Sequence, residues 1–423
     1  MKYHIHTLKN GLRIVLAPMP GTKTATAIVM SGTGSRFETE RENGLAHFLE
    51  HMFFKGTKRR PSAKAISEEL DGLGSQYNAF TSKDRTAYWA KTSSENLEKA
   101  LDVVMDIFVN STLPQKEIEK ERGAVIQEID MYEDMPMRNV DTVFDALIFG
   151  DEHPLGRTIL GPKDNIRNFT RAEFEEYRAR HYGPTNTIVC VSGAFDQKKV
   201  LAKVTKAFAN LKPGAASMPE KFAASPSAPR ARIKEKKTDQ TQLMVGVPAY
   251  PYLHKDEYVL SVLASILGGG MSSRLFTEVR EKRGLAYSVH AWVDKYPDTG
   301  YLAVQAGVEH AKLAEALKVI VDEFRKIART PVSPAELKKV KSYMKGTTTL
   351  AMESSDAIAE HAASSLIHIG RIRSLDESLK AVDKVTAKDV QRVAKDILKT
   401  ERLVLAVIGP HTDTEKLRAL LKV

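Results

Sequence analysis

His47-Phe48-Leu49-Glu50-His51 sets two imidazoles and a carboxylate within little more than one helical turn of chain. The flanks favour a helix: Asn43 is suited to cap its start, Gly56 to end it, and no proline intervenes. At about 100° per residue, His47 and His51 lie ~40° apart, with Glu50 ~60° to the other side of His47. All three share one face. Leu45, Leu49, Met52 and Phe53 cluster opposite, so an apolar stripe can hold the helix while its polar face lines a cavity.

Two imidazoles one turn apart can hold one zinc ion, and a carboxylate beside them can take the proton from a water on that ion. The pattern points to hydrolysis, and its His-x-x-Glu-His order inverts the commoner zinc-protease motif. Catalytic zinc usually takes three protein ligands and leaves one position open, so a third is needed. After Pro114 the stretch Glu117 to Asp134 reads as a helix, with Ile118, Val125, Ile126 and Ile129 on its apolar side. Glu121 and Glu128 stand two turns apart on one face, about 10.5 Å along the axis, so only one can join the histidines. Spacing alone does not choose between them.

The motif, followed 77 positions after His51 by Glu128 within Glu121-Arg122-Gly123-Ala124-Val125-Ile126-Gln127-Glu128-Ile129, resembles the inverted zinc peptidases of family M16. That family includes mitochondrial processing peptidase, pitrilysin and insulin-degrading enzyme. The resemblance runs from Asn10-Gly11-Leu12 to the last helix, and the length suits the short-subunit branch, in which two chains form one chamber. It implies that Glu128 is the third metal ligand, that Glu121 is a supporting acid beside the site, and that each subunit carries one zinc ion. Asn78-Ala79-Phe80-Thr81 resembles the family's edge strand, on which a peptide lies as an added strand. Backbone pairing of that kind needs no particular peptide sequence. Arg280 and Tyr287, seven residues apart, match an arginine and tyrosine pair that binds substrate backbone and stabilises the oxyanion. By family geometry they serve the zinc of the other subunit. A homodimer with two complete sites is expected, with a heterodimer containing an inactive homologue as the other form. Non-catalytic core subunits of the family normally lack motif residues, and all four are present here.

The internal architecture supports the same reading. Ser265-Ile266-Leu267-Gly268-Gly269-Gly270 falls in the second half where the motif falls in the first, at an offset of 218. Leu113-Pro114-Gln115-Lys116-Glu117-Ile118 pairs with Val332-Ser333-Pro334-Ala335-Glu336-Leu337 at 219. The chain reads as a duplication. Each half has strand-like runs, Thr24 to Met30 and Gln242 to Val247, then amphipathic helices, and ends in a strand and helix, Thr187 to Phe208 and Leu403 to Leu421. Ser265, Gly268 and Gly269 replace the metal residues, and Thr347 stands where Glu128 would recur, so only the first half can bind zinc this way. The expected fold is α+β: two homologous sandwich domains, each a mainly antiparallel sheet with helices packed on it. Residues 1–211 form the catalytic domain, 212–239 an exposed linker with four prolines, and 240–423 an auxiliary domain.

Composition bounds the rest. At 42% hydrophobic and 27% charged the chain is an ordinary globular protein, with no apolar run near the ~20 residues of a membrane span. The start, Met1-Lys2-Tyr3-His4-Ile5-His6-Thr7, leads into a strand-like run with no signal-peptide pattern, which makes a cytoplasmic setting the expectation. Cys190 is the only cysteine, so no intrachain disulfide can form. The net charge of +10 raises nucleic acid as a partner. Its basic runs, Lys55 to Arg60 and Arg230 to Lys237, lack interleaved aromatics and read as solvated surface. Residues 101 to 150, around the expected zinc ligand, carry 11 acidic and 4 basic side chains, a field that favours basic peptides.

Overall fold

Thr187-Ile188-Val189-Cys190-Val191-Ser192-Gly193 shows no alternation of apolar and polar residues, and a strand of that kind needs cover on both faces. The computed structural model, which describes every residue except Met1, 215–217 and 223–225, provides it. Two compact units are present. The first comprises Met1–Ile129, Thr158–Glu220 and Thr349–Leu375; the second comprises Asp130–Arg157, Lys221–Thr348 and Asp376–Val423.

The first unit is built on strands β1 (His4–Thr7), β2 (Arg13–Pro18), β3 (Thr24–Ser31), β4 (Gln76–Thr81), β5 (Thr86–Ser93) and β6 (Thr187–Gly193). They form one sheet in the order β1-β2-β6-β3-β5-β4, antiparallel except for β2 beside β6. Helices α1 (Leu45–Phe53), α2 (Ala63–Gly72), α3 (Leu97–Asn110), the start of α4 (Gln115–Asp134), α6 (Lys163–Asn168), α7 (Arg171–His181) and α8 (Gln197–Phe208) belong to this unit. One sheet face, with Leu16, Val29, Tyr88 and Val191, packs against Leu49, Phe53, Leu101, Phe108 and Val204 of these helices. The opposite face, with Ile28, Met30, Ile188 and Cys190, is closed by α12 (Ser355–Ile369). Ala359, Ala362 and Ala363 let this helix lie close to the strands. Thr26 meets Ser355 at 2.8 Å, and the Lys91 ammonium donates to Asp356 at 2.8 Å.

The second unit repeats the plan with β7 (Arg230–Glu235), β8 (Thr241–Ala249), β9 (Ala286–Lys295), β10 (Gly300–Val308) and β11 (Val404–Gly409) in the order β7-β11-β8-β10-β9. Only β7 and β11 are parallel among the described strand pairs of this sheet. Helices α9 (Glu257–Gly268), α10 (Leu313–Arg329), most of α11 (Pro334–Ala351), α13 (most of Leu375–Lys384), α14 (Ala387–Ile397) and α15 (Thr414–Arg418) complete it. Its other sheet face is closed by α5 (Pro136–Phe149), whose Val140, Phe144 and Ile148 pack on Met244, Ala303, Val404 and Ala406. The α+β, mainly antiparallel architecture is the one expected.

The division differs from that expected at 1–211 and 240–423: α5 of the first half serves the second sheet, and α12 of the second half serves the first. The expected linker also changes. Arg230–Glu235 is a strand, paired parallel to β11. Its alternating charges are those of a sheet edge, with Ala231 and Ile233 turned to the core. Other parts of the linker, 215–217 and 223–225, lie outside the described residues. No described helix is long and apolar enough to cross a membrane.

Candidate metal centre

Leu45, Leu49, Met52 and Phe53 are fully buried, and they fix the rotation of α1 so that its polar face is presented as expected. The helix is capped differently from the expectation. Asn43 does not cap it; Gly44 is the N-cap residue, at φ 101°, a conformation that favours glycine. The Glu38 carboxylate accepts from the backbone N–H groups of Gly44 at 2.9 Å and Ala46 at 2.7 Å, and from the Asn43 amide at 3.0 Å. A buried carboxylate thus satisfies two of the free donors at the helix start. Burial pushes the Glu38 carboxyl up to about 7, against those same hydrogen bonds. Glu38 sits beyond a loop, where no capping spacing signals it.

His47, His51 and Glu128 converge. His47 Nε2 lies 3.2 Å from His51 Nε2, and Glu128 Oε2 lies 3.4 Å from the first and 3.3 Å from the second. Among the described residues they form the one group of three or more His, Cys, Asp or Glu side chains spaced to hold a metal ion. Around zinc, ligands at about 2.1 Å in tetrahedral directions stand about 3.4 Å apart, so this donor set fits that ion. Glu121 and Glu128, left open by spacing, are separated by position: Glu128 faces both Nε2 atoms, whereas Glu121 takes the far nitrogen of His51, Nδ1, at 3.0 Å. Glu121 is held in turn by Lys55 at 2.6 Å. A carboxylate on the far nitrogen fixes the tautomer and ring direction of a ligating histidine. Lys55 carried no signal beyond its place one turn after His51.

The electrostatics of the ligand set follow from this packing. Burial pushes the His47 imidazole down to about 4, aided by His51 and opposed by Glu128. Burial also works against charge on His51, but the Glu121 and Glu128 carboxylates outweigh it and hold the group up at about 9. For Glu121 burial is outweighed by His51 and Lys55, leaving it at about 2. Burial raises Glu50, opposed by a hydrogen bond of 2.6 Å donated by the Thr81 hydroxyl.

The remaining expected residues form two further groups. Asn78, Ala79, Phe80 and Thr81 lie on β4, an edge strand whose one strand partner among the described residues is β5. Arg280 and Tyr287 lie in the second unit. The Arg280 guanidinium sits 4.8 Å from the ring centres of both Phe276 and Tyr287, and Tyr287 is 77% exposed. At the counterpart of α1 in the second half, Gly268 of α9 packs so tightly on β9 that a Cβ would stand 2.3 Å from the backbone nitrogen of Ala291. The Tyr343 hydroxyl donates to the Gly269 carbonyl at 2.7 Å, and Thr347 donates to the Tyr343 carbonyl, so this place offers no metal donors of the first kind.

Comparison with known proteins matches residues 13–163 to the family described as insulinase, peptidase family M16, and residues 168–344 to the M16 peptidase inactive domain. An uncharacterized zinc protease of Streptomyces coelicolor is 37% identical, over 97% of this chain and 90% of its own length. One of Bacillus subtilis is 36% identical, over 96% and 98%. Among solved structures, a protease from Helicobacter pylori superposes with a TM-score of 0.89 at 28% identity, covering 97% of this chain and 99% of that one.

Proposed function

The chain belongs to the insulinase peptidase family, M16, and from that premise we propose that it is a zinc-dependent endopeptidase acting on short or unfolded peptides held in extended form. The observation that carries the proposal is the convergence of His47, His51 and Glu128 on one point beside Glu50. These three side chains would hold the zinc ion, one per subunit. Zinc bound there supplies a Lewis acid that makes a water acidic and polarises the scissile carbonyl. Glu50 takes the proton of the attacking water and returns it to the leaving amine. Burial raises its proton affinity, the direction that a base which must later return the proton requires. The edge of β4, unpaired among the described strands, pairs with the peptide backbone through Asn78 to Thr81, which supports tolerance of sequence. The acidic residues between 101 and 150 favour basic peptides.

Arg280, stacked on Tyr287, binds the substrate backbone and stabilises the oxyanion in the site of a partner subunit. The absence of metal ligands at the α9 position gives the second unit an auxiliary role, in keeping with the inactive-domain match. A homodimer follows, since this chain carries both parts; a heterodimer with an inactive homologue would supply the same two parts from different chains.

The first test is cleavage of a quenched fluorescent basic peptide by the wild type and Glu50→Gln, with zinc measured in both. General acid–base catalysis contributes about 10²–10⁴-fold, so a zinc-loaded Glu50→Gln chain is expected to fall by at least that lower figure. If both hold zinc and neither cleaves, the homodimeric peptidase reading fails, and a missing partner or a structural role takes its place. Assembly is tested by mixing Glu50→Gln with Arg280→Ala. Composite sites in a freely exchanging dimer should restore about a quarter of the wild-type rate, and no recovery would oppose assembly in trans.

A further inference from the structure

Glu50 is held by a strand as well as by its own helix. The Thr81 hydroxyl, at the end of β4, donates to Glu50 Oε2 at 2.6 Å. Thr81 is itself fixed in place. It pairs with Thr86 across the hairpin, and Thr86 donates to the Thr33 carbonyl at 3.0 Å. The turn that follows is pinned at four points: Ser82 N–H to the Arg85 carbonyl, Ser35 N–H to the Ser82 carbonyl, Arg36 N–H to the Lys83 carbonyl, and Asp84 against His368 of α12 at 2.9 Å. A side chain anchored this firmly holds a carboxylate in one direction.

The second unit shows what becomes of this place when there is no base to hold. The turns Ser94–Asn96 and His310–Lys312, which follow β5 and β10, set the correspondence of those strands, and the pairing registers then put Val293 where Thr81 stands. Glu50 is replaced by Gly268 and its donor by a valine. Donor and base are present together in one unit and absent together in the other.

We propose that Thr81 is a positioning residue for Glu50, so that the edge strand offered to the peptide backbone also aims the general base. This rests on the peptidase reading above and narrows it: Thr81 contributes through its hydroxyl to the chemical step, beyond any backbone pairing with substrate. Strand pairing needs only its N–H and carbonyl, which any residue supplies.

The test compares wild type, Thr81→Val, which keeps shape without the hydroxyl, and Thr81→Ser, which keeps the donor. Misplacing a catalytic group by 1 Å costs on the order of 10²-fold, so Thr81→Val is expected to lose at least ~10-fold in kcat with KM within ~2-fold and zinc content unchanged. Thr81→Ser is expected to recover most of the loss. A readout independent of activity is the thermal unfolding of the metal-free chains in a cycle with Glu50→Ala. The Thr81→Val shift should largely disappear once Glu50 is gone. Unchanged kcat, a rise in KM alone, or additive unfolding shifts would each overturn the inference. A wild type that holds zinc and cleaves nothing refutes the peptidase reading and this inference together, whereas an active wild type with an indifferent Thr81→Val refutes this inference alone.

Discussion

Helix α1 against edge strand β4, and helix α9 against edge strand β9, are one piece of architecture used twice. In the first unit the helix presents His47, Glu50 and His51, and Glu50 is hydrogen-bonded to the strand. In the second the corresponding residues are Ser265, Gly268 and Gly269, and the helix meets the strand so closely that no Cβ fits at Gly268. A metal site needs side-chain length between helix and strand; a packing site needs its absence. The same frame therefore accommodates chemistry or close packing at this position, and substitutions should reveal which requirement each copy serves.

The largest effect is expected from the proposed metal ligands. Glu128→Gln keeps the volume but removes the anionic donor that faces both imidazoles. Zinc retained after dialysis should fall sharply, and peptide cleavage by about 10³-fold or more. The mirror substitution, Thr347→Glu, should leave the zinc content at one per chain, because Ser265 and Gly269 supply no imidazoles. A second equivalent of zinc bound by Thr347→Glu would break the comparison.

Next is Gly268→Ala. Its new methyl would stand 2.3 Å from the Ala291 nitrogen, a backbone atom that cannot rotate away. Overpacking of this kind typically costs 1–3 kcal/mol, here about 2. For units of this size that lowers Tm by about 4–8 °C, with zinc content unaffected. Calorimetry of the metal-loaded chain checks it, and an unchanged Tm would mean that the α9 and β9 contact is not the constraint described.

How much of this contrast was legible in the sequence differs from residue to residue. The shared face of His47, Glu50 and His51 followed from helical spacing, because a buried apolar stripe fixes what the other side presents. Glu121 and Glu128 could not be ranked, since a seven-residue interval puts both on one face; the family resemblance ranked them. The structure shows why both are acidic, one at the Nε2 atoms and one at Nδ1. Glu38 was missed because its carboxylate reaches the helix start across a loop. The sequence marks Thr81 for its backbone alone, because its hydroxyl bond depends on the packing of α1 against β4. The exchange of α5 and α12 was hidden for a general reason: an apolar helix face states that it will be buried, but not on which of two similar sheets. Arg230–Glu235 passed for linker because an edge strand and a solvated segment share composition.

The smallest expected effect concerns the way the two units handle buried acids. Around α1, carboxylates meet cations or N–H donors, as Glu121 meets Lys55 and His51. In the second unit Asp141 of α5 faces Asp145 on the same helix and Asp294 on β9, with the Tyr301 hydroxyl donating to Asp294 at 3.3 Å. Burial, followed by the charges of Asp145 and Asp294, pushes Asp141 up to about 7. A carboxyl whose pKa rises on folding binds its proton more tightly in the folded chain. Its stabilising contribution is therefore complete below the unfolded value of about 3.9 and is lost as pH climbs through about 7. Tm of the wild type should thus carry a downward component between pH 5 and pH 8. Asp141→Asn, neutral at every pH and similar in shape, should remove that component, so that its Tm gain over wild type is several degrees larger at pH 8 than at pH 5. Thermal scans of both chains at the two pH values decide the matter: parallel shifts at both would mean that Asp141 ionises freely, and that the second unit tolerates its crowded acids as readily as the first tolerates its paired ones.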